Sequence, residues 1–281
     1  MTAAPNSSPD ELSLRVFHCS QWPEIFRSWF WRFYDHLFKL LLYNLAWSLS
    51  CCGIAWIAIH FGWVEIPKDI SLTGPLQLYV LFLVENGVSV GWAYLIFKIF
   101  IEGHGSLREV WVGTRKYFWK ATGLSAVSGL LFFLVLYNIH FYFSLVTTNR
   151  FLTLLVAAFA IWILVFCLAA FLHQWPILFF QNPPFLKVLK KSLLLTLGNG
   201  LVSLGIVLFF AACFVFFLFV PFLMFFIGAV FFFSFQCVAL EKSFLKYKIT
   251  YGDEPLQSVL EHLEVEQQRG WRELLKPWEN R

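Results

Sequence analysis

The chain has 281 residues and a formal net charge of +4, with 59% apolar and only 14% charged residues. A soluble domain carries about 45–50% apolar and about 25% charged residues, so this composition excludes a disordered chain, a collagen-like chain and an ordinary cytosolic enzyme. Aromatic residues make up 20%, 35 of them Phe; that is more apolar surface than one soluble core can cover, and it points to a polytopic membrane protein.

The first 20 residues hold Asp10, Glu11 and Arg15 and have no apolar stretch before a small-residue cleavage site. No cleavable signal peptide is predicted, and the first span is expected to act as an uncleaved anchor. Residues 21–36 then read QWPEIFRSWFWRFYDH. Trp22, Ile25, Phe26, Trp29, Phe30 and Phe33 recur at i, i+3, i+4, i+7, with Glu24, Arg27, Ser28, Arg32 and Asp35 opposite. This pattern predicts an amphipathic helix lying in the membrane interface; the plainer alternative is an extension of the first span.

A membrane-crossing helix needs about 20 apolar residues, and six runs qualify: 37–61, 76–101, 121–145, 151–173, 193–220 and 222–240. The expected fold is therefore all-α. Its parts are an amino-terminal segment 1–36, a six-helix transmembrane domain 37–240 and a tail 241–281. Pro221 alone separates the last two runs and supplies the turn, because proline cannot continue a helical hydrogen-bond ladder. With six spans, 19 of the 21 Lys and Arg residues fall on one side and only Lys68 and Arg150 on the other. The positive-inside rule then places both termini in the cytoplasm. Because the basic residues flank apolar runs, they mark topology, and no nucleic-acid partner is expected.

Two basic-side loops share a style. Gly103–Lys120 opens with Gly103-His104-Gly105, a turn, and carries Arg108, Arg115, Lys116 and Lys120; residues 181–192 read QNPPFLKVLKKS. The pairs Arg115-Lys116 and Lys190-Lys191 precede a span in each case and are candidates for lipid-headgroup or partner contacts. In the tail, Leu256, Val259, Leu260 and Leu263 are helically spaced, which predicts a short helix, either solvated or docking.

Inside the spans, Glu85 stands out. A charged group at the bilayer centre costs about 2.5–3.5 kcal/mol or more, so Glu85 should face protein or water. Asn86, His60, Asn138 and His140 lie at comparable outer depth and complete a candidate polar cluster, either an ion or proton site or a structural hydrogen-bond knot. Gly87 and Gly91 form a GxxxG pair on roughly the opposite face, where another helix can approach closely. With both sides covered, this helix is expected at the centre of the bundle. Asn44, His173, Gln174, Asn199 and Gln236 form a second polar set nearer the basic side, read as packing between helices. Thirteen Phe lie between Phe209 and Phe235, on a hairpin expected to face lipid or a partner subunit. Cys19, Cys51, Cys52, Cys167, Cys213 and Cys237 show no CxxC spacing and read as inert thiols.

Arg32-Phe33-Tyr34-Asp35, followed by residues 40–47 (LLLYNLAW), resembles the opening of the YesL-like family, a bacterial group of small polytopic membrane proteins. Gly105 through Trp111, residues 117–121 (YFWKA) and Trp175-Pro176-Ile177-Leu178 are similar too, so the likeness covers roughly residues 30–248. The family's Pro-Ala-Thr-like stretch between the first two spans is replaced here by a longer Gly62–Pro75 loop. The resemblance implies an accessory protein, in some members associated with carbohydrate uptake, and brings no catalytic residues. No HExxH, GxSxG, Walker or dinucleotide motif occurs, and no His/Cys/Asp cluster has metal-ligand spacing. The expectation is a non-catalytic protein of the bacterial inner membrane, without cofactor or metal. It would act as an accessory or scaffold subunit in solute uptake and meet lipid and other membrane subunits through the 209–235 hairpin or the tail. The alternative is a small transporter or channel centred on Glu85.

Overall fold

The computed structural model describes residues 21–61, 73–144 and 150–246. The segment with Cys19, the loop with Lys68 and the tail around Leu256–Leu263 lie outside the described residues. Among the described residues the chain is all-helical. The helices are α1 (Gln21–Asp35), α2 (Leu37–His60), α3 (Thr73–Glu102), α4 (Arg108–Ser144), α5 (Arg150–Gln181), α6 (Phe185–Gly198) and α7 (Gly200–Phe219). The last span joins α8 (Pro221–Leu223), a π-turn (Met224–Gly228) and α9 (Ala229–Lys246). Among the described residues six helices are long and apolar enough to cross a membrane, so this is a multi-pass membrane protein.

Helix ends differ from the expected ones for local reasons. α4 begins at Arg108 rather than 121, because only the turn at Gly103 (φ 73°) and the next few residues interrupt the chain. At 37 residues and 1.5 Å per residue it is about 55 Å long, far more than the ~30 Å hydrocarbon core. α5 runs through Pro176 to Gln181 instead of ending at 173; neighbouring helices make a proline tolerable within a membrane span. It stops where Asn182 takes a left-handed backbone (φ 42°) before Pro183-Pro184, a stop signal for a helix. The expected 193–220 helix is divided at Gly198-Asn199-Gly200 into α6 and α7. The last span starts on Pro221, a favourable first helical position, and continues past 240 to carry Glu241 and Lys242.

α3 and α9 form the centre, and far more of these two spans is buried than of the other four. α3 and α4 make the most extensive helix pair. Gly87 and Gly91 face α4: a Cβ built on Gly87 would stand 2.5 Å from Phe118 and 2.9 Å from Thr122 Oγ1. A Cβ on Gly91 would overlap Thr114 Oγ1 and the Val110 carbonyl. The other side of α3 meets α2, where Trp47 Nε1 donates to Ser89 Oγ at 2.9 Å.

The orientation has its own test. Cysteines introduced beside Lys68 and Arg150 should react with an impermeant reagent in intact cells, and those beside Arg115 and Lys190 only after permeabilisation. External labelling at Arg115 would reverse the assignment of sides.

Candidate functional site

The polar residues of the spans are joined mainly as ties between helices. Asn44 of α2 is wholly buried and reaches the π-turn of the last span. Its Nδ2 donates to Phe225 O at 2.7 Å, and its Oδ1 accepts from Val230 N at 2.9 Å. Those backbone groups are five residues apart, the π-helix spacing, so one side-chain amide bridges the irregular step. Ser48 Oγ donates to the same carbonyl at 2.9 Å. Apolar surroundings make an unmet backbone group costly, and these two side chains supply the partners.

α1 is held at three points. Trp29 Nε1 donates to Ser234 Oγ at 2.9 Å. Arg32 Nη1 donates to Glu241 Oε2 at 2.7 Å and to the Phe100 carbonyl at 3.0 Å, while Nη2 reaches Glu241 Oε1 at 3.3 Å. The bidentate pair is largely buried, with side chains 13% and 4% exposed. Trp22 lies against Gly205, and Phe26 and Trp29 pack on Phe209, Phe231 and Phe235. The expected amphipathic helix is present, and its apolar face packs against protein. Its apolar face is covered by α7 and α9, and Ser28 and Arg32, assigned to its polar face, turn toward the bundle as well.

A third set ties α5 to its neighbours. Gln174 and Ser128 exchange hydrogen bonds at 2.9 and 3.1 Å, and His173 Nε2 lies 3.2 Å from Ser203 Oγ. Asn199 is buried at the α6–α7 break, while Gln236 is half-buried and joins none of these bonds.

Among the described residues, no hydrogen bond or ion pair joins Glu85, Asn86, His60, Asn138 and His140 to one another. Asn86 Nδ2 donates to Phe82 O and Asn138 Nδ2 to Leu134 O, each at 2.7 Å within its own helix. His60 stacks on Trp56 with ring centroids 4.9 Å apart, and both His60 and His140 are exposed. A local i−4 carbonyl satisfies an amide without a second helix, and equal depth from counting residues does not imply the same helix face. Glu85 is half-buried and has no hydrogen-bond or ion-pair partner among the described residues.

The Phe-rich hairpin divides between the two environments. Phe209, Phe217, Phe231, Phe233 and Phe235 point into the core, whereas Phe214, Phe216, Phe219 and Phe222 point outward. Cys51, Cys52, Cys167, Cys213 and Cys237 are all unbridged. Among the described residues no three His, Cys, Asp or Glu side chains converge as a metal site would require.

Arg115, Lys116, Lys190 and Lys191 are exposed on the first turns of α4 and on α6. The two segments meet: Lys120 Nζ donates to Asn182 Oδ1 at 2.8 Å, Lys191 donates to Gln181, and the Phe185 ring lies against Gly123.

The arrangement defines a multi-pass α-helical membrane protein whose spans are cross-tied by buried side chains. No family model matches the chain, and neither does any curated protein or solved structure.

Proposed function

We propose that this chain is a non-catalytic accessory or scaffold subunit of a larger assembly in the bacterial inner membrane, one concerned with solute uptake. The observation that carries the reading is the use of the polar residues. Asn44, Ser89, Ser234, Gln174, His173, Arg32 and Glu241 each bond a side chain or backbone group of another helix. Such ties favour a rigid body over a moving path. The outward row Phe214, Phe216, Phe219 and Phe222 is then the face for a neighbouring subunit. The link to carbohydrate uptake rests on the YesL-like resemblance of residues 30–248.

One observation favours the transporter reading, namely the half-buried Glu85 without a partner among the described residues. A carboxyl that carries protons or ions must change charge state, and Gln cannot. Wild type and Glu85→Gln should therefore be compared in a proteoliposome flux assay beside a mild-detergent pull-down. The scaffold reading expects the same co-purifying subunits with both proteins and no flux attributable to Glu85. Robust wild-type flux that disappears in the variant, with assembly intact, sinks it in favour of transport.

A further inference from the structure

We propose that the first turns of α4 and the α6 helix together form a binding surface for anionic phospholipid headgroups in the leaflet on the basic side of the membrane. Helix length supplies the first argument. α7 has 20 residues, about 30 Å at 1.5 Å each, and so covers the hydrocarbon core alone. The 14-residue α6 that precedes it must then lie at headgroup level. The same reasoning places the start of α4 there, since that helix exceeds the hydrocarbon thickness by more than twenty ångströms.

What these segments expose supplies the second argument. Leu107, Trp111, Arg115 and Trp119 repeat every four residues and all face outward, the two Trp being 71% and 82% exposed. Arg108, Val112 and Lys116 form the adjoining row, also exposed. On α6, Leu186, Lys187, Lys190, Lys191 and Leu194 share an outward face. Trp beside Arg, and Leu beside Lys, is the chemistry of the acyl-to-phosphate boundary, where indoles anchor and long cations reach the phosphates.

Charge balance supplies the third. Residues 108–120 and 182–198 hold seven basic side chains and one acidic one, Glu109. Lys120 is committed to the α5–α6 turn, but Arg115, Lys116 and Lys190 have no ion pair among the described residues. A phospholipid phosphate at this level of the bilayer would supply a counter-charge that the described residues do not.

The test uses purified full-length protein in mild detergent, titrated with phosphatidylglycerol, with phosphatidylcholine or with inorganic phosphate. Bound lipid is counted by native mass spectrometry and stability read from the melting temperature. Each basic residue near an anionic surface adds about fivefold to binding, so wild type should prefer phosphatidylglycerol by at least about tenfold. Inorganic phosphate should leave the melting temperature unchanged. The variant Arg115→Gln/Lys116→Gln/Lys190→Gln/Lys191→Gln should lose the preference, and each two-site half of it should lose part. Arg27→Gln/Lys39→Gln, which removes exposed charges elsewhere, should keep it. Equal wild-type affinity for the two lipids overturns the proposal. So does a preference that survives in the four-site variant, or one lost equally in the control. A preference unchanged in the four-site variant while a co-purifying protein is lost would reassign the surface to a protein partner.

Discussion

Replacing Glu241 by Ala should destabilise the protein by about 3–5 kcal/mol, the cost of leaving one member of a buried ion pair alone. Arg32→Ala should cost less, because the two orphans behave differently. Glu241 left alone can take up a proton and become a neutral carboxylic acid. Arg32 without the Glu241 carboxylate stays charged, since a guanidinium does not deprotonate in proteins. The double variant Arg32→Ala/Glu241→Ala holds no unpaired charge, so it should melt above Glu241→Ala. Thermal unfolding in detergent of the three variants gives the order directly. A double variant no more stable than Glu241→Ala would show that the two charges do not compensate one another.

Gly91→Leu should be the most damaging substitution on the α3–α4 contact. The added side chain would enter the space of the Val110 carbonyl, and backbone cannot swing aside. It would also strike Thr114 Oγ1, which donates to that carbonyl at 2.9 Å. Overfilling a packed site costs about 1–3 kcal/mol, and a backbone obstacle places Gly91 at the upper end. Gly87→Leu should cost less, because Phe118 and Thr122 are side chains able to rotate. Gly53→Leu, whose Cβ meets nothing within 4 Å, should be nearly neutral. Melting temperatures falling in any other order would place the tight helix contact elsewhere.

The six spans were legible because hydrocarbon solvent imposes one composition on every stretch that crosses it. The glycine pair on α3 could be read because small residues spaced by four present one flat strip, and that strip lies on α4. Pairings across the chain were not legible. Glu241 stands one residue past the expected end of its span and reads as a solvated flank, and nothing near it in sequence announces Arg32. Trp29 reads as one more apolar residue on a helix face until Ser234 is placed opposite its indole. For the Glu85 group, counting residues gives depth alone, whereas the direction of a side chain depends on how each helix is rotated. The amphipathic period of residues 21–35 identified a helix correctly. It did not say whether lipid or protein would cover the apolar face, since both accept the same side chains.

The anchoring of α1 also sets an order of events during synthesis. Its partners Ser234 and Glu241 are separated from Trp29 and Arg32 by 205 and 209 residues. At about 5–20 residues per second, the ribosome needs roughly 10–40 s to make the stretch between them. Through that interval the docking groove of α1 does not yet exist. Its row of Trp and Phe has only the bilayer surface to shelter it until the last span arrives. A helix that matures into a buried strut must first behave as a passenger on the membrane, and its strongly two-sided sequence suits it to both stages.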